Sequence, residues 1–276
     1  MKALAIFALM ALTAPTKGLA ASYLLLPIAD ARVINFPGYQ TGNFGVDILS
    51  VYTESSAVNT QRTFIKFDLS GITVAANETV QSAMLTLIAS TGFGDNHTSQ
   101  PMEIYRVVSP WTESGLSWTN RDSSHAWTNS GGDFIGIGGQ PYAISIQSPT
   151  NGGAVTWDVT ALIQEWVTHA AANNGLLLKS RSGNRLTFYQ RESASPSLRP
   201  SLTVVTGLSP IQVSRNAGKI SLWWTGAGSI LQEKTNLNPA IAWSDSGRIV
   251  TQSGGSNSVT IAAPAGNNFF RLRSGP

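Results

Sequence analysis

The chain has 276 residues, of which 42% are hydrophobic and only 12% are charged, and this composition excludes a disordered chain, which needs high charge and low hydrophobicity. The length provides for one large domain or two modest ones with a buried core, and the absence of cysteine excludes disulfides and thiolate sites. The formal net charge is only +3 with basic residues scattered among acidic ones, so nucleic acid, which requires a clustered basic face, is not an expected partner.

The first 20 residues predict a signal peptide. Lys2 gives a positive start, an apolar run follows over residues 3–14, and Gly18 and Ala20 are small residues at the positions that a signal peptidase reads. The apolar run is too short to span a bilayer. We therefore expect a secreted protein, extracellular or at the cell surface, with no membrane span in the mature chain. An uncleaved membrane anchor is the alternative.

Short alternating patterns after the signal peptide predict β-strands. Apolar residues recur with period two in the segments 64–69, 82–89, 142–146, 155–159 and 202–204. Strict alternation over four to eight residues is typical of half-buried strands. Many such strands, separated by Gly, Asn, Ser and Pro, predict an all-β fold of the sandwich or barrel type.

The segment 109–141 is long, rich in Gly and Ser, and contains three tryptophans. Long loops in compact domains are usually functional or disordered, and the tryptophans argue against disorder. Trp111, Trp118 and Trp127 could stack on sugar rings or fill the core where the loop docks. The sequence leaves both interpretations open for Trp111 and Trp118, and Trp127 is taken as a ligand-binding candidate.

One segment, 160–172, breaks the period of two. Its apolar positions have helical spacing, which predicts one short helix. These positions are Leu162, Ile163, Trp166 and Val167. Asp158 or Thr160 can cap its start, and the Asn-Asn-Gly run at 173–175 is expected to end it.

A second unit is predicted to begin near Gly207. Leu208–Pro210 has the composition of a linker, and further short apolar segments with Gly-rich turns follow it. The sequence therefore predicts a β-sandwich domain over residues 22–206 and a small β-domain over residues 207–276.

Several motifs occur in order in the first domain: Arg62–Ser70, Val80–Leu85, Trp111–Glu113, Leu116–Asn120, Asp158–Thr160, Asn174–Leu176, Phe188–Glu192 and Arg199–Leu202. Together they resemble the DNRLRE-type β-sandwich module, also classed as carbohydrate-binding module family 96. The resemblance implies a jelly-roll-like β-sandwich in a secreted bacterial or archaeal protein that binds acidic or neutral polysaccharide. The second unit, through residues 231–237, Trp243 and 265–273, is similar to short β-modules that end secreted proteins of Verrucomicrobia-like bacteria.

Basic and aromatic residues on the predicted strands form the candidate binding site. A basic, aromatic strip on one face of the sandwich would suit an acidic polysaccharide, because the planar fork of Arg pairs with a carboxylate in two places. The alternative is a solvated face with structural ion pairs, such as Arg191 with Glu192. The ligand-binding candidates are Arg62, Lys66, Trp127, Arg181, Tyr189 and Arg191.

Catalytic arrangements are poor, and we expect no enzyme. The spacing of the three histidines does not match that of metal ligands; they are His97, His125 and His169. Glycoside hydrolysis needs two carboxylates, which Glu113 with Asp122 or Asp133 could supply. Glu113 belongs to a motif in which it is expected to accept backbone hydrogen bonds instead.

The sequence thus predicts a secreted, non-catalytic module that binds extracellular polysaccharide, with acidic glycans ahead of neutral ones. Two alternatives stay open: a structural or surface-adhesion protein that binds protein or matrix, and a small polysaccharide hydrolase or lyase. No cofactor is expected, although a structural Ca²⁺ held by Asp30 or by loop oxygens is a further alternative.

Overall fold

The computed structural model describes residues 20–54, 58–90, 98–147, 149–181, 183–225, 228–253, 256–262 and 267–274. The chain forms two compact units, a larger one that contains Ala21–Ala75 and Thr79–Thr206 and a smaller one that contains Gly207–Pro276. The predicted signal peptide lies outside the described residues except for Ala20, so its cleavage stays a prediction. No helix in the described part of the chain is long and apolar enough to cross a membrane.

The larger unit is built almost entirely from β-strands. These are β1 (Ala21–Leu25), β2 (Pro27–Asn35), β3 (Leu49–Thr53), β4 (Thr60–Phe67), β5 (Glu78–Ile88), β6 (Gln100–Val107), β7 (Phe134–Ile135), β8 (Ala143–Gln147), β9 (Ala154–Asp158), β10 (Leu176–Ser180), β11 (Leu186–Phe188) and β12 (Ser201–Leu208). The first sheet has the order β1-β12-β5-β9, and the second has the order β11-β3-β4-β10-β6-β7. In the second sheet β2 also pairs with β4, and β8 with β6.

Residues from both sheets meet in one core. Leu85 and Trp157 of the first sheet are buried in the same cluster as Ile65 and Leu176 of the second. The indole Nε1 of Trp157 donates to the carbonyl of Met102 at 3.0 Å, so the largest buried side chain has no unpaired donor. The predicted all-β sandwich is therefore confirmed.

A second buried cluster lies on the other face of the second sheet. Val33 of β2 and Phe64 of β4 are buried there together with the three tryptophans of the long loop. Because successive strand residues point to opposite faces, Phe64 cannot belong to the same face as its neighbour Ile65. The second sheet is therefore covered on both faces, on one by the first sheet and on the other by the tryptophan loop.

The helix α1 (Thr160–Val167) is shorter than the 160–172 segment that the sequence predicted. Its buried residues are Leu162, Ile163 and Trp166. Asp158 Oδ1 accepts the backbone N–H of Thr160 at 3.0 Å where the helix starts. The early end coincides with His169, whose φ of 57° is left-handed and takes the chain out of the helix. The Asn-Asn-Gly run therefore follows the helix after an additional turn.

Strand β8 has the predicted alternation, but its apolar face points outward. Ile144 and Ile146 are 52% and 65% exposed, whereas Ser145 between them is buried. The register explains this difference, because Ser145 lies opposite the buried core residue Met102 of β6. Directly opposite residues share a face, so the pairing with β6 turns both isoleucines away from the core.

The smaller unit is also made of antiparallel strands, which are β13 (Gln212–Asn216), β14 (Lys219–Thr225), β15 (Ser229–Lys234), β16 (Ser244–Asp245), β17 (Thr251–Ser253), β18 (Ser256–Ala262) and β19 (Phe269–Ser274). They form a sheet with the order β13-β14-β18-β17 and a sheet with the order β16-β15-β19. Leu222, Trp224, Leu231 and Val259 are buried together. This unit therefore has a core of its own.

Candidate functional site

Arg191 is held in an ion-pair cluster. Its Nε and Nη2 donate to Oε1 and Oε2 of Glu113 at 2.9 and 2.7 Å, and its Nε lies 2.7 Å from Oε1 of Glu192. Its backbone N–H donates to Oδ2 of Asp30 at 2.8 Å, and the N–H of Asp30 donates to Glu113 Oε1 at 2.8 Å. The arrangement corresponds to the ion-pair alternative for Arg191 rather than to an arginine offered to a ligand.

We call Asp30, Glu113, Arg191 and Glu192 the Asp30 cluster. Asp30 is fully buried, and its Oδ1 has no hydrogen-bond partner within the part of the chain that the structure describes. Burial raises the pKa of Asp30 to about 7, with a further contribution from the neighbouring Glu192 and Glu113 carboxylates. Carboxylate oxygens of Asp30, Glu113 and Glu192 all lie within 4.8 Å of one another.

Arg62 joins the long loop to the second sheet. Its Nη1 donates to the carbonyl of Gly131 at 2.8 Å, and its guanidinium carbon lies 4.7 Å from the centroid of the Trp118 ring and 5.2 Å from that of Phe134. Burial lowers the pKa of Arg62 to about 10. The guanidinium group of Arg62 therefore packs against aromatic rings of the protein itself.

Trp127 is buried and is part of the same packing. Its ring stacks on Phe64 with centroids 5.3 Å apart and an interplanar angle of 22°, and only 5% of the residue is exposed. Its Nε1 donates to the carbonyl of Ser117 at 3.1 Å. Trp111 and Trp118 are buried in the same cluster. The loop tryptophans therefore fill a core and do not present a ring face to solvent.

The remaining candidates are Lys66, Arg181 and Tyr189. Arg181 is exposed and forms an ion pair with the buried carboxylate of Glu103, which also lies 3.7 Å from Nζ of Lys179. Lys66 and Tyr189 are half-buried. The structure thus places Arg181 beside Glu103 and Arg191 in the Asp30 cluster.

A different group of residues lines an open pocket of about 350 Å³. We call it the arginine–aromatic pocket, and its lining residues are Arg32, Ile34, Phe36, Tyr39, Asn59, Gln61 and Arg185. Phe36 and Tyr39 are 41% and 50% exposed, and their ring centroids lie 5.9 Å apart. Sequence reasoning missed this group, because its members come from three separated segments.

A β-turn positions the two aromatic rings. The backbone N–H of Tyr39 donates to the carbonyl of Phe36 at 2.8 Å, and Gly38 has a φ of 85°. Proline at the second turn position and a left-handed glycine at the third are typical of a type II turn. The Pro37–Gly38 pair between two aromatic residues is the sequence signal that could have indicated an exposed aromatic turn.

Strand pairing brings the polar residues of the pocket together. Arg32 and Ile34 are two residues apart on β2 and share a face, and Gln61 of β4 lies opposite Ile34. Gln61 also pairs with Tyr52 of β3. Arg185 precedes β11, which pairs with β3, and its guanidinium carbon lies 4.9 Å from the centroid of the Tyr52 ring.

Arg32, one of the two arginines of the pocket, forms an ion pair with Asp47. Nη2 of Arg32 lies 3.0 Å from Oδ2 of Asp47, whose side chain is 50% exposed. Solvent screens the exposed Asp47 end of this ion pair, whereas the Arg32 side chain is only 18% exposed. Nε of Arg32 has no hydrogen-bond partner within the described residues. The pocket therefore offers positive charge beside exposed rings.

The carboxylates considered for hydrolysis have structural contacts. Oδ1 of Asp122 accepts two backbone N–H groups of its own loop, at 2.8 Å each. Asp133 accepts the N–H groups of Thr128 and Asn129 at 3.1 and 2.7 Å, and Glu113 belongs to the Asp30 cluster. Among the described residues that line the arginine–aromatic pocket there is no carboxylate.

The histidines have no metal-ligand role in the described geometry. Nδ1 of His125 lies 2.9 Å from Oδ1 of Asp122 in an exposed loop, and His169 is exposed beyond the end of α1. His97 lies outside the described residues.

A comparison with protein families found one match. Residues 46–204 match the model of the family described as Disaggregatase related repeat domain. The matched segment covers more than half of the chain and includes β3 to β11 and the first half of β12. No curated protein sequence matches the chain.

Proposed function

Since this chain belongs to the disaggregatase-related repeat domain family, a β-rich repeat family, we propose that it is an extracellular module that binds acidic polysaccharide without cleaving it. The observation that supports the proposal is the arginine–aromatic pocket. It combines two exposed rings, two guanidinium groups and two side-chain amides in one concavity. Ligand pockets are typically lined by apolar and aromatic side chains with a few polar groups that fix orientation.

The rings of Phe36 and Tyr39 are suited to sugar. Both are exposed, at 41% and 50%, and they lie on a β-turn that holds them at a fixed separation of 5.9 Å. The apolar C–H face of a pyranose ring packs on an aromatic face, and this contact buries area that is costly to leave in water.

The polar lining favours an acidic sugar. Arg32 and Arg185 present planar donors that match the geometry of a carboxylate, and charge-assisted hydrogen bonds are about twice as strong as neutral ones. Asn59 carries an amide NH2 group that can donate to hydroxyls, and the buried Gln61 donates from Nε2 to Asn59 Oδ1 at 3.4 Å. A uronate residue supplies both a carboxylate and hydroxyls, so it matches this lining better than a neutral sugar does.

The chemistry of the pocket supports binding without cleavage. Both glycosidase mechanisms need a pair of carboxylates beside the glycosidic bond. The described lining residues contain none, and the carboxylates of Glu113, Asp122 and Asp133 are engaged in hydrogen bonds elsewhere.

A second function, adhesion to protein or matrix, has one specific observation in its favour. Ile144 and Ile146 are 52% and 65% exposed and lie two residues apart on the same face of β8. Exposed apolar side chains that cluster are typical of protein contacts. The arginine–aromatic pocket is more specific, because it combines shape, rings and charge.

Calorimetric titration of the mature protein with uronate oligosaccharides tests the proposal. We expect binding by the native chain and a loss of about tenfold in affinity for Arg185→Gln, because a charge-assisted hydrogen bond contributes about 1.5–3 kcal/mol. Tyr39→Ala should lose a similar amount. Arg215→Gln, which removes an equal charge from the exposed strand β13, is the matched control and should bind as the native chain does. Equal affinities of Arg185→Gln and Arg215→Gln would contradict the assignment of the pocket.

A further inference from the structure

The Asp30 cluster carries more negative charge than its own cation compensates. Three carboxylates, those of Asp30, Glu113 and Glu192, lie within 4.8 Å of one another, and the ion pairs described within the cluster are those with Arg191. With all four groups ionised the cluster has a net charge of −2. Buried charge without compensation is costly in a protein, so this cluster is stabilised either by a further positive partner or by a proton on one carboxylate.

One carboxylate oxygen of the cluster, Oδ1 of Asp30, has no hydrogen-bond partner among the described residues. Glu113 accepts hydrogen bonds on both oxygens, and Oδ2 of Asp30 accepts the backbone N–H of Arg191. Oδ1 of Asp30 has no partner in the described structure, although Asp30 is fully buried. An ionised carboxylate can only accept, so this oxygen needs a donor or a metal ion.

We propose that the Asp30 cluster binds one Ca²⁺ through Oδ1 of Asp30 and the carboxylates of Glu113 and Glu192. Ca²⁺ takes oxygen ligands at about 2.3–2.6 Å, so two oxygens on one ion lie at most about 5 Å apart. The 4.8 Å limit on the oxygen separations fits this span. Mg²⁺, with ligands at about 2.0–2.1 Å, would require the oxygens to lie within about 4.2 Å.

The remaining ligands are available from solvent at the exposed side of the cluster. The side chains of Glu113 and Glu192 are 21% and 32% exposed, whereas Asp30 is closed off. Ca²⁺ accepts a flexible set of six to eight oxygens that includes water. One buried carboxylate and two rim carboxylates thus provide a site that an ion can enter from outside.

Such an ion would join distant parts of the larger unit. Asp30 lies on β2, Glu113 begins the short 3-10 turn Glu113–Gly115 in the tryptophan loop, and Glu192 follows β11. An ion that binds only the folded chain raises its stability by mass action, by about 2.7 kcal/mol at a concentration 100 times the Kd. We therefore assign the ion a stabilising role, independent of polysaccharide binding at the arginine–aromatic pocket.

Chelator-treated mature protein, titrated with CaCl₂ by calorimetry and melted with and without the ion, tests the site. We expect one Ca²⁺ per chain and a rise in melting temperature of about 5–10 °C at saturation, since 1 kcal/mol corresponds to about 2–4 °C for a unit of this size. Mg²⁺ at the same concentration should give a much smaller rise. A protein that binds no Ca²⁺ and melts at one temperature in chelator and in CaCl₂ would overturn the proposal and leave a protonated Asp30 as the account of the cluster.

Two variants locate the ion. Glu192→Gln lies on the exposed rim, where the fold tolerates it, and should weaken Ca²⁺ binding by about tenfold, because affinity follows the charge of the ligand set. Asp30→Asn keeps an acceptor for the N–H of Arg191 and should abolish the rise in melting temperature. Asp47→Asn removes an exposed carboxylate outside the cluster and should bind Ca²⁺ as the native chain does. Native Ca²⁺ affinity in both Glu192→Gln and Asp30→Asn would place the ion elsewhere and overturn the assignment.

Discussion

Trp127 and Tyr39 should respond to alanine substitution in opposite ways. Trp127 is 5% exposed, stacks on Phe64 at 5.3 Å and donates to the Ser117 carbonyl, so its removal leaves both a cavity and an unpaired buried acceptor. Replacing a buried Trp by Ala costs about 3–5 kcal/mol. For a unit of this size the melting temperature should fall by about 6–20 °C.

Tyr39→Ala should leave stability almost unchanged, because half of the residue is exposed and substitutions at such positions usually stay within about 0.5–1 kcal/mol. Its effect should instead appear as lost affinity for uronate oligosaccharides. Urea denaturation gives the free energy of unfolding of both variants, and calorimetric titration gives their affinities for the oligosaccharide. If Trp127→Ala retains native stability and loses binding, the loop tryptophan is a ligand contact, and the assignment of the site to the arginine–aromatic pocket is refuted.

Three further outcomes can be checked directly. Gly175→Ala should destabilise the larger unit by about 2–4 kcal/mol in urea denaturation, because the residue has a φ of 84° and its Cβ would lie 2.6 Å from the carbonyl oxygen of Ile65. Gly152→Ala, where φ is 77° and the space around the Cβ is open, is the control and should cost only about 1 kcal/mol. Equal losses of stability in the two variants would exclude the steric contact at Gly175. N-terminal sequencing of secreted protein should begin at residue 21 or 22, and an intact N-terminus on a membrane-bound product would argue for an anchor. Limited proteolysis should cut first between the units, at residues 209–211 between β12 and β13, and a junction that resists cleavage until both units unfold would speak against the predicted boundary.

The alternating patterns predicted five strands of the larger unit, β4, β5, β8, β9 and β12, because period two is a local property that the backbone imposes on any half-buried strand. They could not always predict which face is buried. The exposure of Ile144 and Ile146 follows from the pairing of β8 with β6, which places Ser145 opposite Met102. Pairing partners are distant in sequence, and a single sequence carries no direct record of them.

Because contacts between distant segments cannot be read from a single sequence, the predicted binding residues differ from those of the pocket. Arg191 and Trp127 have residue types suited to sugar binding. However, Arg191 forms an ion pair with Glu113 of another loop, and the ring of Trp127 is stacked on Phe64. The arginine–aromatic pocket, in contrast, combines residues 32–39, 59–61 and 185, which only the pairing of β2, β3, β4 and β11 brings together. Among its residues, only the Pro-Gly turn at 37–38 left a local signal.

Titration of the mature protein with a uronate oligosaccharide and with its carboxyl-reduced, neutral counterpart tests the central claim most directly. The measurement is made at about 0.1 M and about 1 M salt, over which the screening length falls from about 10 Å to about 3 Å. We predict that the acidic oligomer binds more tightly than the neutral one, that its advantage shrinks at high salt, and that no new reducing ends form. Equal binding of the two oligomers at both salt concentrations, absence of binding, or release of reducing ends would contradict a non-catalytic module for acidic polysaccharide.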